Sequence, residues 1–82
     1  MNQTEIRAKI LQVLAGIAPE AATGSINEGV DFRDQFDFDS MDFLNFAIAL
    51  SKAFAIDLPE REYPRLANLK GCQDYLAKAI VS

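Results

Sequence analysis

Apolar residues return at three- and four-residue intervals in three stretches of the chain and alternate with period two in none, which predicts helices and no sheet. In the first stretch Ile6, Ile10, Leu14 and Ile17 recur on one face, joined by Leu11 and Val13, while Glu5, Arg7, Lys9 and Gln12 take the others. Asn2 with Glu5 three residues on has the form of a capping box, and Gly16 with Pro19 supplies the stop. The second stretch runs from about Ser40 to Phe54, with Met41, Leu44, Ala47, Ile48, Leu50 and Phe54 as a broad apolar stripe. Asp39 is a natural N-cap there and Asp42 falls in the first turn, each contributing about 0.5 to 1 kcal/mol. In the last stretch Asn68 can cap a helix that buries Leu69, Cys72, Leu76, Ala79 and Ile80, with Tyr75 at its edge. Before it, Pro59 suits the start of a brief helix through Glu60, Arg61, Glu62 and Tyr63, which Pro64 should end.

Between the first two helices, Ala18 to Phe38 shows no sustained period, and Gly24, Ser25, Asn27 and Gly29 mark a loop. A structureless loop of that length is unusual in a compact domain, so Ile26, Val30, Phe32 and Phe36 are expected to turn inward and pin it. The expected fold is all-α: a four-helix bundle with a short third helix and a long ordered first loop. On this pattern Leu44→Ala and Leu76→Ala are both core truncations, each expected to cost about 2 to 5 kcal/mol.

The 82 residues suit one domain, 1–82, large enough for a core but not for a deep enzyme cleft, so a binding or carrier role fits better than catalysis. Eight basic against twelve acidic residues give a net charge of −4, which opposes nucleic acid and anionic membrane surfaces and favours basic protein partners. The charge is concentrated: Asp31, Asp34, Asp37, Asp39 and Asp42 share a segment with a single base, Arg33. One cysteine cannot form an internal disulfide, the N-terminus lacks a basic region followed by an apolar run, and no apolar stretch approaches the ~18 residues of a membrane span. A cytoplasmic monomer without membrane insertion is the expectation.

Where the acidic segment enters the second helix stands Asp39-Ser40-Met41-Asp42. The chain has no histidine, and Cys72 lies far away inside another apolar pattern, so Ser40 has no partner for nucleophilic catalysis and its chemistry must come from outside. A loop-to-helix junction exposes a hydroxyl to another enzyme, and helix N-terminal N–H groups favour a phosphate attached there. Asp39 and Asp42 offer carboxylates to arginine and lysine on a docking enzyme. No catalytic residue and no metal site is expected: an EF-hand begun at Asp37 would need glycine where Asp42 stands and glutamate where Ile48 stands. Cys72, on a buried stripe, is a small hydrophobe rather than a reactive thiol.

These residues, in this order, resemble the acyl carrier protein family of the freestanding kind, over nearly the whole chain. The family's Asp-Ser-Leu-Asp motif is matched with leucine changed to methionine. Phe54, Ile56-Asp57-Leu58-Pro59 and Asp74-Tyr75-Leu76 stand where the family has similar landmarks. The resemblance implies that Ser40 carries 4′-phosphopantetheine through a phosphodiester, installed from coenzyme A by a phosphopantetheinyl transferase. It implies that the arm's thiol holds acyl groups as thioesters for acyl-transferring or condensing enzymes of fatty-acid, polyketide or related lipid synthesis. By the same resemblance an acyl pocket would involve Phe32, Leu50, Leu58, Tyr63, Leu66 and Cys72.

The chain also departs from the family. Where members carry glutamates along the exposed side of the second helix, it has Asn45, Ser51 and Lys52. Phe38, Phe43 and Phe46 crowd the attachment point instead, which suggests partners that recognise an aromatic surface around Phe38, Asp39, Met41, Asp42 and Phe43. Tyr63 and Cys72 stand where the family usually has alanine, and their volume should shrink or re-aim any acyl cavity toward short or exposed groups. Two other readings are a peptidyl or aryl carrier, whose serine usually follows glycine or histidine rather than aspartate, and a small acidic helical adaptor with no prosthetic group.

Overall fold

At the start of the first helix, α1 (Gln3–Ile17), the Asn2 side chain accepts from the Glu5 N–H at 2.8 Å while the Glu5 carboxylate accepts from the Asn2 N–H at 3.3 Å. The capping box is therefore formed, and in this computed structural model, which describes residues 2–22 and 26–81, it opens an all-helical chain. Ile6, Ile10 and Leu14 point into the core as the periodicity requires. The α1 helix ends at an extended Ala18, and Pro19 starts a short 3-10 helix, Pro19–Ala22.

The expected loop contains more structure than its sequence announces. Beyond Pro19–Ala22 it holds a single helical turn, α2 (Phe32–Gln35), with Phe32 fully buried, Ile26 and Phe36 packed against the core and Val30 half-buried. Gly24 and Ser25 lie outside the described residues. Polar ties complete the pinning: the Gln35 side-chain amide donates to the carbonyls of Asn27 and Val30, and its oxygen accepts from Asn27 N–H. The loop is held to the far end of the chain by Phe32 N–H to Ala67 O at 2.9 Å and Lys70 N–H to Glu28 O at 3.1 Å. Arg7, on α1, pairs with Glu28 and reaches Gln73.

The next helix, α3 (Ser40–Phe54), spans the predicted limits and buries Ala47, Leu50 and Phe54 of the expected stripe, but its inward face is rotated toward Phe43 and Phe46. Phe46, Ala47, Leu50 and Phe54 are buried and Phe43 is half-buried, whereas Met41 is 64% exposed, Leu44 38% and Ile48 43%. The expectation that Leu44 is a core residue is corrected, and Ile48, on the same apolar stripe, also lies outside the core. This helix is apolar almost all round, so two stripes compete, and the aromatic one wins because its rings bury more area. Phe32 meets Phe46 edge to face at 5.3 Å and Phe38 at 5.7 Å, and Phe38 meets Phe46 at 6.1 Å. At its C-terminus, Ile56 N–H donates to Ser51 O and Ala55 N–H to Lys52 O, a Schellman pattern with Ala55 in the left-handed region at φ 53°.

Pro59 leads not into an α-helix but into a seven-residue 3-10 helix, Glu60–Leu66. Pro64 lies inside it rather than ending it, a second correction. Proline's fixed φ suits the 3-10 conformation, and only one donor is lost. Buried Leu66 and the Arg65–Glu62 ion pair at 3.1 Å hold the segment. Last comes α4 (Leu69–Val81), capped as expected by Asn68, whose side chain accepts from Gly71 N–H at 2.7 Å. A Cβ at Gly71 would sit 2.2 Å from Arg65 O, so only glycine lets this first turn press against the 3-10 helix. Leu69, Cys72 and Leu76 are fully buried, while Ile80 is partly so.

Candidate attachment site at the start of α3

Ser40 is the first residue of α3 and is exposed. Its position is set by a second capping box: Asp42 N–H donates to the Asp39 carboxylate at 2.9 Å, and Asp39 N–H donates to the Asp42 carboxylate at 3.2 Å. Asp42 thus does more than complement the helix dipole, because its carboxylate takes the place that glutamate or glutamine usually has in such a box. The N–H groups of Ser40 and Met41, in the first turn of a fifteen-residue helix, have no intrahelical acceptor and lie at the positive end of the helix dipole.

Beside Ser40 lies a half-open cavity of about 280 Å³, lined by Asp31, Phe32, Arg33, Phe38, Asp39, Ser40, Phe43, Tyr63, Pro64 and Ala67. Four aromatic rings line it, and Phe43 bridges Phe38 at 6.4 Å and Tyr63 at 5.8 Å, both edge to face. Of the six residues expected to line an acyl pocket, Phe32 and Tyr63 do. Leu50, Leu58, Leu66 and Cys72 do not line it and are buried in the core. Cys72 donates to Leu66 O at 3.3 Å, and burial pushes its thiol up to about 12.

Of the three phenylalanines expected to crowd the attachment point, only Phe43 keeps a partly exposed ring. Phe38 and Phe46 are buried and Phe43 is half-buried, so what faces outward around Ser40 is aliphatic: Met41, Leu44 and Ile48, beside the carboxylates of Asp39 and Asp42. Arg33, Asp31, Pro64 and Ala67 were not foreseen as site residues. Arg33 had a signal, as the one base in an acidic segment; Ala67 had none, since the Phe32–Ala67 hydrogen bond that brings it there joins distant parts of the chain. Among the described residues no three metal-binding side chains gather, and no helix is long and apolar enough to cross a membrane.

A family model described as a phosphopantetheine attachment site matches residues 8–72. Among similar proteins, the acyl carrier protein of Acidothermus cellulolyticus is 29% identical over 75 residues, covering 92% of this chain and 84% of its own length. That of Syntrophobacter fumaroxidans is 28% identical over 81 residues, covering 95% of each, and that of Thermosynechococcus vestitus is 24% identical over the whole of both. With a capped helical start presenting serine, an all-α bundle around it and a matching family model over most of its length, this chain belongs to the acyl carrier proteins.

Proposed function

We propose that Ser40 is the residue that carries the arm, and that the protein tethers acyl intermediates there and presents them to successive enzymes of fatty-acid, polyketide or related lipid synthesis, as a cytoplasmic monomer. The protein is a carrier, not a catalyst, and its prosthetic group is covalent 4′-phosphopantetheine. That group supplies a thiol on which acyl groups ride as thioesters.

The observation that carries the reading is an exposed primary hydroxyl at a capped helix N-terminus, on the rim of a cavity. In the modification, Ser40 Oγ would form a bond to the phosphorus that carries the pantetheine. Adenosine bisphosphate would leave, and the serine proton would pass to a base brought by the transferase. The residues fit the product, since first-turn amides favour the phosphodiester's charge and Ser40 is exposed.

The docking surface we assign to the modifying and acyl-transferring enzymes is Asp39, Met41 and Asp42 continued by Leu44 and Ile48. An apolar stripe with carboxylates only at its Ser40 end fits a partner surface that is apolar along its length and basic where the serine enters. The test is intact mass before and after incubation with a phosphopantetheinyl transferase and coenzyme A, with fragmentation to locate the adduct. Wild-type protein should gain one arm, and Ser40→Ala should gain none while keeping its helical spectrum and melting temperature. A Ser40→Ala protein that still gains the arm overturns the assignment.

A further inference from the structure

We propose that the cavity beside Ser40 docks the proximal part of the arm itself, with Arg33 paired to its phosphodiester, so that the acyl group is held outside the bundle rather than stored within it. The inference rests on Ser40 carrying the arm.

Three observations lead there. The cavity touches Ser40 directly, so the atoms that can fill it without doubling back are those closest to the serine oxygen: the phosphodiester and the dimethyl-substituted carbons that follow it. Its walls suit those two neighbours in turn. Phe32, Phe38, Phe43, Tyr63 and Pro64 offer apolar surface to the branched carbon. Arg33 offers a planar cation to the phosphate, the pairing at which guanidinium is strongest.

Charge makes Arg33 the more significant. Asp31 and Asp39 line the same cavity, and Asp34, Asp37 and Asp42 are close in sequence, so an added phosphodiester enters an already negative field. Asp39 is engaged by Asp42 N–H, whereas Arg33 makes no ion pair among the described residues, unlike Arg7, Arg61 and Arg65. A lone cation among acids, without a carboxylate partner, is a poor stabiliser of the apo fold but a ready counterion for the product. Finally, Leu50, Leu66 and Cys72 have no exposed surface, so an acyl chain that retracted past the cavity would have to displace core side chains.

The experiment uses holo protein whose modification at Ser40 is first confirmed by mass, so failure of attachment and failure of docking are distinguishable. Nuclear Overhauser contacts are then recorded between the arm's two methyl groups and the ring protons of Phe38, Phe43 and Tyr63, along with the phosphorus linewidth. The expected result is contacts to these rings and a phosphorus line broader than that of free phosphopantetheine. In Arg33→Gln the contacts should weaken at least severalfold and the line should narrow, and high salt should do the same to the wild type. Two results would overturn the proposal: methyl groups with no ring contacts and a phosphorus line unchanged by Arg33→Gln, or hexanoyl- and palmitoyl-loaded protein whose chain methylenes, rather than the arm's methyls, contact the rings.

Discussion

The rings of Phe43 and Tyr63 meet edge to face at 5.8 Å, linking the first turn of α3 to the 3-10 helix and forming the inner wall of the cavity beside Ser40. Because the positions beyond this pair are close-packed, a long saturated acyl chain cannot pass it without opening the bundle. Loading the arm with palmitoyl should therefore raise the melting temperature little over the unacylated holo form. Tyr63→Ala should lose on the order of 1 to 2 kcal/mol, less than a fully buried aromatic, and gain a void that a long chain can enter. In that variant the palmitoyl form should melt clearly above the unacylated one. Thermal unfolding of the four species checks this, and a large palmitoyl stabilisation of the wild type would refute it.

Leu76 and Leu44, alike in sequence pattern, should behave oppositely. Leu76 has no exposed surface, and Leu76→Ala should cost about 2 to 5 kcal/mol in urea unfolding. Leu44, 38% exposed on the outer side of α3, should cost less than about 1 kcal/mol when cut to alanine. Its loss should appear instead as slower modification by the transferase, and Met41→Ala and Ile48→Ala should act in the same direction. Phe43→Ser, by contrast, removes a ring that holds Phe38 and Tyr63, so lost stability should accompany any lost transfer.

That contrast marks what sequence could and could not convey. Helix limits were legible because local chemistry sets them: Asn2 with Glu5, Asp39 and Asn68 cap their own helices through contacts within three residues. Ser40's place at the capped, exposed start of α3 was legible for the same reason. The face that α3 buries was not, since the choice between Leu44 and Phe46 is made by Phe32 and Phe38 arriving from the loop. The cavity was out of reach likewise, since Arg33 and Ala67 meet only through the backbone bond from Phe32 to Ala67. Pro64 breaks an α-helix but not the 3-10 helix Glu60–Leu66 that the chain forms, a distinction its ring alone does not carry.

Ala55 closes α3 with φ at 53°, the one non-glycine residue with positive φ among those described, and its Cβ carries a cost there that glycine would not. Its N–H to Lys52 O and that of Ile56 to Ser51 O at 3.1 Å persist with either side chain. Ala55→Gly should therefore stabilise the fold by about 0.5 to 1 kcal/mol, the relief of strain exceeding glycine's greater freedom when unfolded. Chemical denaturation midpoints at unchanged m-value check it, and a lower midpoint would show that the cap is not strained.

Cys72 makes the last prediction, since the carrier's working group is itself a thiol. Buried on α4 and donating to Leu66 O at 3.3 Å, its sulfur is raised from 9.0 to about 12 by desolvation. Thiolate is the reactive form, so folded apo protein should give almost no reaction with a disulfide reagent at pH 8, and denatured protein should give one equivalent. Folded holo protein should also give one equivalent, from the arm alone. The same shift has a consequence for stability. Above pH 9 the unfolded chain releases the Cys72 proton while the folded chain keeps it, so the unfolded state binds fewer protons and stability falls with rising pH. The loss should approach about 1.4 kcal/mol per pH unit until the folded thiol itself ionises near 12. Cys72→Ala, though less stable at neutral pH for lack of the sulfur's volume, should show a shallower decline over that window. Parallel slopes in the two proteins would place the alkaline sensitivity elsewhere.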